Sequence, residues 1–242
     1  AKSITCNSTA MQTTFILLLS AHVFGDFLLQ TNAMVRNKGK GWVLLFHAVL
    51  HGALAYGLLQ QWSAWPIPVS VAVMHSAIDW VKGRCRRSAR AFVVDQVSHV
   101  VSLAVIAAVG HWLGWCGPFE GQGWQWIVGF AGFVASVFGV GFYVGEIAGK
   151  LAEANGELAD SIKAGLRDGG KQIGRLERAL IFAFILVGEP TGIGFLVAAK
   201  SILRFEDAKQ RLVAEYVIIG TLWSFGLAMA LAWLTQQAIG LG

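Results

Sequence analysis

Apolar stretches of bilayer-crossing length, separated by tight clusters of basic residues, constrain this chain more than anything else in it. A spanning helix needs about 20 predominantly apolar residues. Such stretches lie near 12–30, 42–60, 64–82, 90–112 and 124–147, followed by a broken segment at 178–201 and a last stretch at 213–236. Of the 19 Lys and Arg, all but Lys2 fall into four clusters: Arg36 to Lys40, Lys82 to Arg90, Lys150 to Arg178, and Lys200 to Arg211. The connections 61–66 and 113–123 carry none. The expected fold is an all-α polytopic membrane protein with about six full spans plus a re-entrant hairpin, or seven spans. Composition agrees, since only 14% of residues are charged, against roughly 25% in soluble domains. Disorder and an ordinary cytosolic enzyme are excluded, and no nucleic-acid partner is expected. The cysteines Cys6, Cys85 and Cys116 form no CxxC pattern, which excludes a zinc ribbon or a disulfide framework.

Basic residues concentrate in cytoplasmic loops. The first three clusters fit strict alternation of five spans, with the N-terminus outside. The fourth would lie outside if 178–201 crossed the membrane. Its middle reads Gly188-Glu189-Pro190-Thr191-Gly192-Ile193-Gly194, a turn rather than a helix interior. A re-entrant hairpin returning to the cytoplasm restores the charge rule; a Pro-kinked full span is the alternative. In that hairpin Glu189 would lie at membrane depth and need a cation from the same half of the chain. Residues 1–11 read as a polar tail, a leftover leader whose Asn7-Ser8-Thr9 is a weak glycosylation match. The rest divides at 112 into a His-rich four-helix bundle (12–112) and a second membrane domain (113–242). In the second domain, 150–177 can form short amphipathic helices on the inner membrane surface. The glycines of 128–149 suit close helix contact, and His111, beside Trp112 and Trp115, reads as interfacial.

Five of the six histidines have a His or Asp four residues away, once in each of four consecutive stretches: His22/Asp26, His47/His51, His75/Asp79 and Asp95/His99. Residues i and i+4 share a helix face, so each pair projects toward a common point. Successive spans run antiparallel, and the order within the pairs alternates accordingly. His22, His51, His75 and His99 then form an inner layer. Asp26, His47, Asp79 and Asp95 form an outer one, about 6 Å closer to the cytoplasmic face at a rise of 1.5 Å per residue. Interhelical hydrogen bonding is the bland explanation. Burying three Asp near the bilayer without a cation is expensive, however, and a metal centre would supply one. Eight N and O donors suit two divalent ions about 3.5–4 Å apart, with zinc, manganese or iron favoured by the ligand types.

The segments His22-Val-Phe-Gly-Asp26-Phe-Leu-Leu-Gln30, His47-xxx-His51 and His75-Ser-Ala-Ile-Asp79-Trp carry a resemblance. The chain resembles, over about residues 12–112, a bacterial inner-membrane family known only as a domain of unknown function. More distantly it resembles membrane-bound metal-dependent hydrolases. The resemblance implies a bacterial inner (cytoplasmic) membrane location.

The leading expectation is a binuclear metal-dependent hydrolase near the cytoplasmic leaflet, acting on a lipid-linked or other anionic phosphoester. Asp79 or Asp95 would accept the proton of the attacking water. Gln30, Arg36, Lys38 and Arg84 would contact the substrate, although positive-inside topology also accounts for the basic residues. Membrane lipid and an anionic small-molecule or lipid substrate are the expected partners, with a homo-oligomer or larger membrane complex also open. Two other classes remain: a di-iron or haem redox protein, and a cation- or proton-coupled transporter or non-enzymatic subunit of a membrane complex. Di-iron membrane enzymes usually carry more HxxxH and HxxHH boxes, and here only His47/His51 qualifies.

Overall fold

The computed structural model describes residues 8–86, 88–115, 117, 121–154, 156, 168–203 and 211–240. Cys6, Asn7, Arg87, Cys116, Arg204, Lys209 and the middle of the expected amphipathic segment (157–167) lie outside the described residues. Among the described residues the chain is helical, with no strand. Five helical stretches are long and apolar enough to cross a membrane: Thr9–Leu29, Gly41–Leu59, Ala89–Trp112, Trp124–Glu153 and Leu212–Ile239.

The chain divides into two compact units, Ala1–Ala131 with Ala238–Gly242, and Gly132–Gln237. In the first, α1 (Ser8–Val23) runs without a break into a π-helical turn, Phe24–Leu29. Helices α2 (Asn32–Asn37), α3 (Gly41–Leu59), α4 (Pro66–Lys82) and α5 (Ala89–Trp112) follow. Local chemistry sets their ends. Thr31 caps α2 by accepting from Met34 N, and Ser88 caps α5 by accepting from Ala91 N, each satisfying a donor that the first turn leaves unpaired. Pro66 occupies the first turn of α4, where a missing N–H costs nothing.

Helices α1, α3, α4 and α5 pack in a ring, α1 on α3, α3 on α4, α4 on α5 and α5 on α1. The interior of the ring is divided along its axis. Leu17, Leu18, Ala21, Ala55, Leu59, Ile67, Val71, Leu103, Ile106 and Ala107 form an apolar core toward the end where Gln61 and Gly117 exchange two hydrogen bonds of 3.0 Å. One turn further along each helix, the interior becomes polar.

In the second unit, a second π-helical turn, Ala135–Gly139, leads into α7 (Val140–Glu153), continuing the helix that begins as α6 (Trp124–Val134). The helix thus runs past residue 147 through Lys150 and Glu153. Helices α8 (Gly169–Leu186) and α9 (Thr191–Leu203) form a hairpin, and α10 (Arg211–Ile239) ends the chain. Gly188 makes the turn at φ +79°, a left-handed conformation that glycine adopts without Cβ strain. Ile181, Ile193, Phe225 and Ala228 form the core of this unit.

The segment 178–201 is therefore two helices, and α8 starts nine residues before the apolar stretch does. An apolar window stops at the first charges, whereas a helix continues wherever those charges find water or partners. The carboxylate that pairs in this hairpin is Glu177, 2.8 Å from Lys200 Nζ, while Glu189 is exposed at the turn. The Glu177–Lys200 pair places the middle of α8 beside the last turn of α9.

Arg178, 4% exposed, lies across the second π-helical turn. Its Nε and Nη2 donate to the Val137 carbonyl at 3.1 and 2.9 Å, and its Nη1 donates to Ser224 Oγ at 3.0 Å. A Cβ on Gly141 would come within 2.7 Å of Arg178 Nη2, so the glycine leaves room for the guanidinium. Arg178→Met should remove the guanidinium's hydrogen bonds to the Val137 carbonyl and Ser224 Oγ and destabilise the protein by about 2 kcal/mol. Thermal unfolding in detergent measures this, and an unchanged midpoint would show the guanidinium to be dispensable.

Candidate metal centre

The four polar pairs sit where the helical ring changes from apolar to polar. His22, His47, His51, His75, Asp79, Asp95 and His99 are each at most 4% exposed, and the Asp26 side chain is 7% exposed. All eight side chains converge on the interior of the ring formed by α1 and its π-helical turn, α3, α4 and α5.

The rings form a continuous array. His51 and His75 stack at 3.5 Å between centroids, His75 lies 4.4 Å from His99, and His99 stacks on His22 at 4.7 Å. His47 is 4.6 Å from His51 and 5.0 Å from His75. Asp26 reaches into this array from the π-helical turn. Its Oδ1 is 3.1 Å from His47 Nε2, 3.3 Å from His51 Nε2 and 3.7 Å from His75 Nε2.

The π-helical geometry at Asp26 has a visible steric setting. A Cβ on Gly25 would overlap the His51 ring, so the backbone of this turn lies directly against an imidazole. π-Helical turns cluster at functional sites because they re-aim side chains within an otherwise regular helix. Gly25→Ala should therefore displace His51 and cost about 1–3 kcal/mol through overpacking. Thermal unfolding checks it, and a change below about 0.5 kcal/mol would mean that the turn yields freely.

Three buried carboxylates need cations, and the fold provides two from its own side chains. Lys38 Nζ pairs with Asp79 Oδ2 at 2.7 Å. Lys82 pairs with Asp95 Oδ2. Gln96, a polar residue inside α5, links Asp95 to Asp26: its amide donates to Asp95 Oδ2 at 3.1 Å and Asp26 Oδ2 at 3.4 Å, while its Oε1 accepts from His22. Among the described residues, Asp26 is met by imidazoles and an amide and by no ammonium.

Buried ligand atoms without a well-formed hydrogen bond among the described residues are spread through the cluster and include both ring nitrogens of His51, Nε2 of His75 and His99, both carboxylate oxygens of Asp79 and Oδ1 of Asp95. His99 Nδ1 donates to the Asp95 carbonyl at 2.9 Å, a bond that fixes the tautomer and leaves the Nε2 lone pair free. Buried polar atoms are normally satisfied, so orphaned lone pairs converging on a carboxylate fit a cation. Tetrahedral zinc bonds of about 2.0–2.1 Å put neighbouring ligand atoms roughly 3.4 Å apart, close to the Asp26–His51 and Asp26–His75 separations. Three overlapping sets can hold an ion, each with donor atoms within 4.8 Å of one another: Asp26/His47/His51/His75, His22/His75/His99, and Asp79/Asp95/His99.

The expected substrate-contacting residues occupy different settings. Gln30 Nε2 lies 2.9 Å from His47 Nε2, and Lys38 is committed to Asp79. Arg84 lies over the Trp80 ring at 3.2 Å and donates to the Trp80 carbonyl. Arg36 is exposed. His111, read as interfacial, lies 3.3 Å from Thr14 Oγ1. Lys82 and Gln96 are not among the site residues expected from the sequence, although a Gln inside a span and beside Asp95 is itself a signal.

Residues 14–117 match a family model described as a protein of unknown function (DUF3307). The matched region contains all eight His and Asp of the cluster, together with Lys38, Lys82 and Gln96. That description carries no activity and no link to metal-dependent hydrolases. No curated protein and no solved structure matches the chain.

Proposed function

We propose that this chain is a membrane-embedded metal-dependent hydrolase, acting at the cytoplasmic leaflet of a bacterial inner membrane on a lipid-linked or other anionic phosphoester. The observation that carries this reading is the convergence of His51 Nε2 and His75 Nε2 on Asp26 Oδ1, at 3.3 and 3.7 Å. A two-His, one-carboxylate set supports a catalytic rather than a closed structural site, because it leaves a coordination position open. His47, 3.1 Å from Asp26 and held by Gln30, either completes the set or positions Asp26. Zinc, manganese or iron suits these donors. Such an ion lowers the pKa of bound water and stabilises charge on the attacked phosphorus.

The protein's own residues perform the remaining tasks. Asp79, 3.4 Å from His75 Nε2, is the nearest carboxylate outside the ligand set and serves as proton acceptor. Lys38 and Lys82 bring positive charge to the end of the cluster nearest the loops, where an anionic headgroup would approach. The basic clusters put that end in the cytoplasm and the N-terminus outside. In the same frame, the α8–α9 hairpin is re-entrant, each helix returning to the basic side.

The test uses the full chain in detergent, stripped of metal and reloaded with zinc or manganese, on phosphatidic acid vesicles and on a soluble nitrophenyl phosphodiester. Metal-dependent release of phosphate or nitrophenol, lost on chelation, is expected. Metal binding without turnover of either compound would sink the hydrolase reading and leave the metal centre standing.

A further inference from the structure

Two buried carboxylates with ammonium partners and one without define an asymmetry within the cluster. Asp79 and Asp95 have side-chain exposures of 1% and 2%, and each is met by a lysine that reaches in from the loop end. Among the described residues no lysine meets Asp26. With neutral imidazoles, the cluster carries one uncompensated negative charge, located at Asp26. A buried charge of this kind is stable only when paired, and Asp26 Oδ1 meets three imidazole nitrogens within 3.7 Å where the other two acids each meet an ammonium.

The second cation position is equally specific. Asp79, Asp95 and His99 bring three donor atoms within 4.8 Å of one another, and His99 Nε2 has no partner. Lys38 and Lys82 bind the carboxylates of this set. Together they carry the charge of one divalent ion, so a second ion there would have to displace them or add to their charge.

Resting on the metal-centre reading above, we propose that Lys38 and Lys82 are built-in substitutes for a second metal. The chain holds a single ion at Asp26, His51 and His75, and Asp79/Asp95/His99 is a latent site closed by lysine. One divalent ion with both lysines in place leaves the cluster with a single positive charge, matched to one anionic oxygen of a phosphoester. The binuclear arrangement expected from eight donors is thereby reduced to a mononuclear one completed by two ammonium groups.

Metal content of the purified full chain, loaded with zinc or manganese alone and desalted, tests this. The unaltered chain should retain about one ion, and Lys38→Met/Lys82→Met should retain about two. Lys38→Arg/Lys82→Arg, which keeps the charge, should stay at one. Asp79→Asn/Asp95→Asn should also stay at one, because the ligands of the first ion are untouched. Two ions in the unaltered chain, or one ion in a folded methionine variant, would overturn the inference while the metal centre survives. Loss of the ion from the asparagine variant would likewise overturn it. An unaltered chain that retains no ion would overturn the metal-centre reading itself.

Discussion

Asp26→Asn should abolish metal retention while stabilising the metal-free protein. The first half follows from ligand geometry. Asp26 Oδ1 is the one carboxylate oxygen within 3.7 Å of three imidazole nitrogens. Substitutions that only orient a ligand cost about 10–100-fold in metal affinity, so loss of the ligand itself should exceed about 100-fold. The second half has the opposite sign. Without metal, Asp26 is a buried charge with no lysine, and an uncharged amide of the same shape relieves that cost. Metal analysis and thermal unfolding with and without chelator read both halves. A variant that keeps its metal removes Asp26 from the ligand set. A variant destabilised equally with and without chelator makes Asp26 a structural hydrogen-bonding hub.

What was legible in the sequence and what was not have different physical origins. The i,i+4 pairs could be read because a helix repeats its faces every three to four residues, and antiparallel spans reverse the order of a layered pair. That logic needs no knowledge of neighbouring helices, and it placed eight side chains around one interior. The hairpin turn was legible for a similar reason, since Gly188 and Pro190 restrict the backbone locally. Lys38 and Lys82 as counter-ions were not legible. A lysine at a span end looks like topology, and its long stem lets the ammonium reach a carboxylate on another helix. The π-helical turns were hidden too. They answer to tertiary contacts, Gly25 against the His51 ring and the Val137 carbonyl under Arg178, that no local period records. Which acid pairs with Lys200 depends on where the helix begins: α8 starts at Gly169, ahead of the apolar stretch, and carries Glu177 beside Lys200.

Lys82→Met should be strongly destabilising for a basic residue at a helix end, at about 2–3 kcal/mol in the metal-free protein. It leaves the Asp95 carboxylate, 2% exposed, with the Gln96 amide as its remaining side-chain donor. Adding Asp95→Asn should recover most of that loss, because a neutral amide needs no counter-charge. The two changes should therefore be strongly non-additive in a double-mutant cycle. Arg84→Met supplies the contrast from the same basic cluster. Arg84 is exposed and stacks on the exposed Trp80, so its loss should cost no more than about 1 kcal/mol. Positive-inside topology treats Lys82 and Arg84 alike, whereas pairing with a buried acid separates them. Equal costs for the two, or additive effects of Lys82→Met and Asp95→Asn, would show that the ammonium is a surface charge and not the counter-ion of the cluster. A large, non-additive loss that zinc partly reverses would place a divalent ion where the lysine had been.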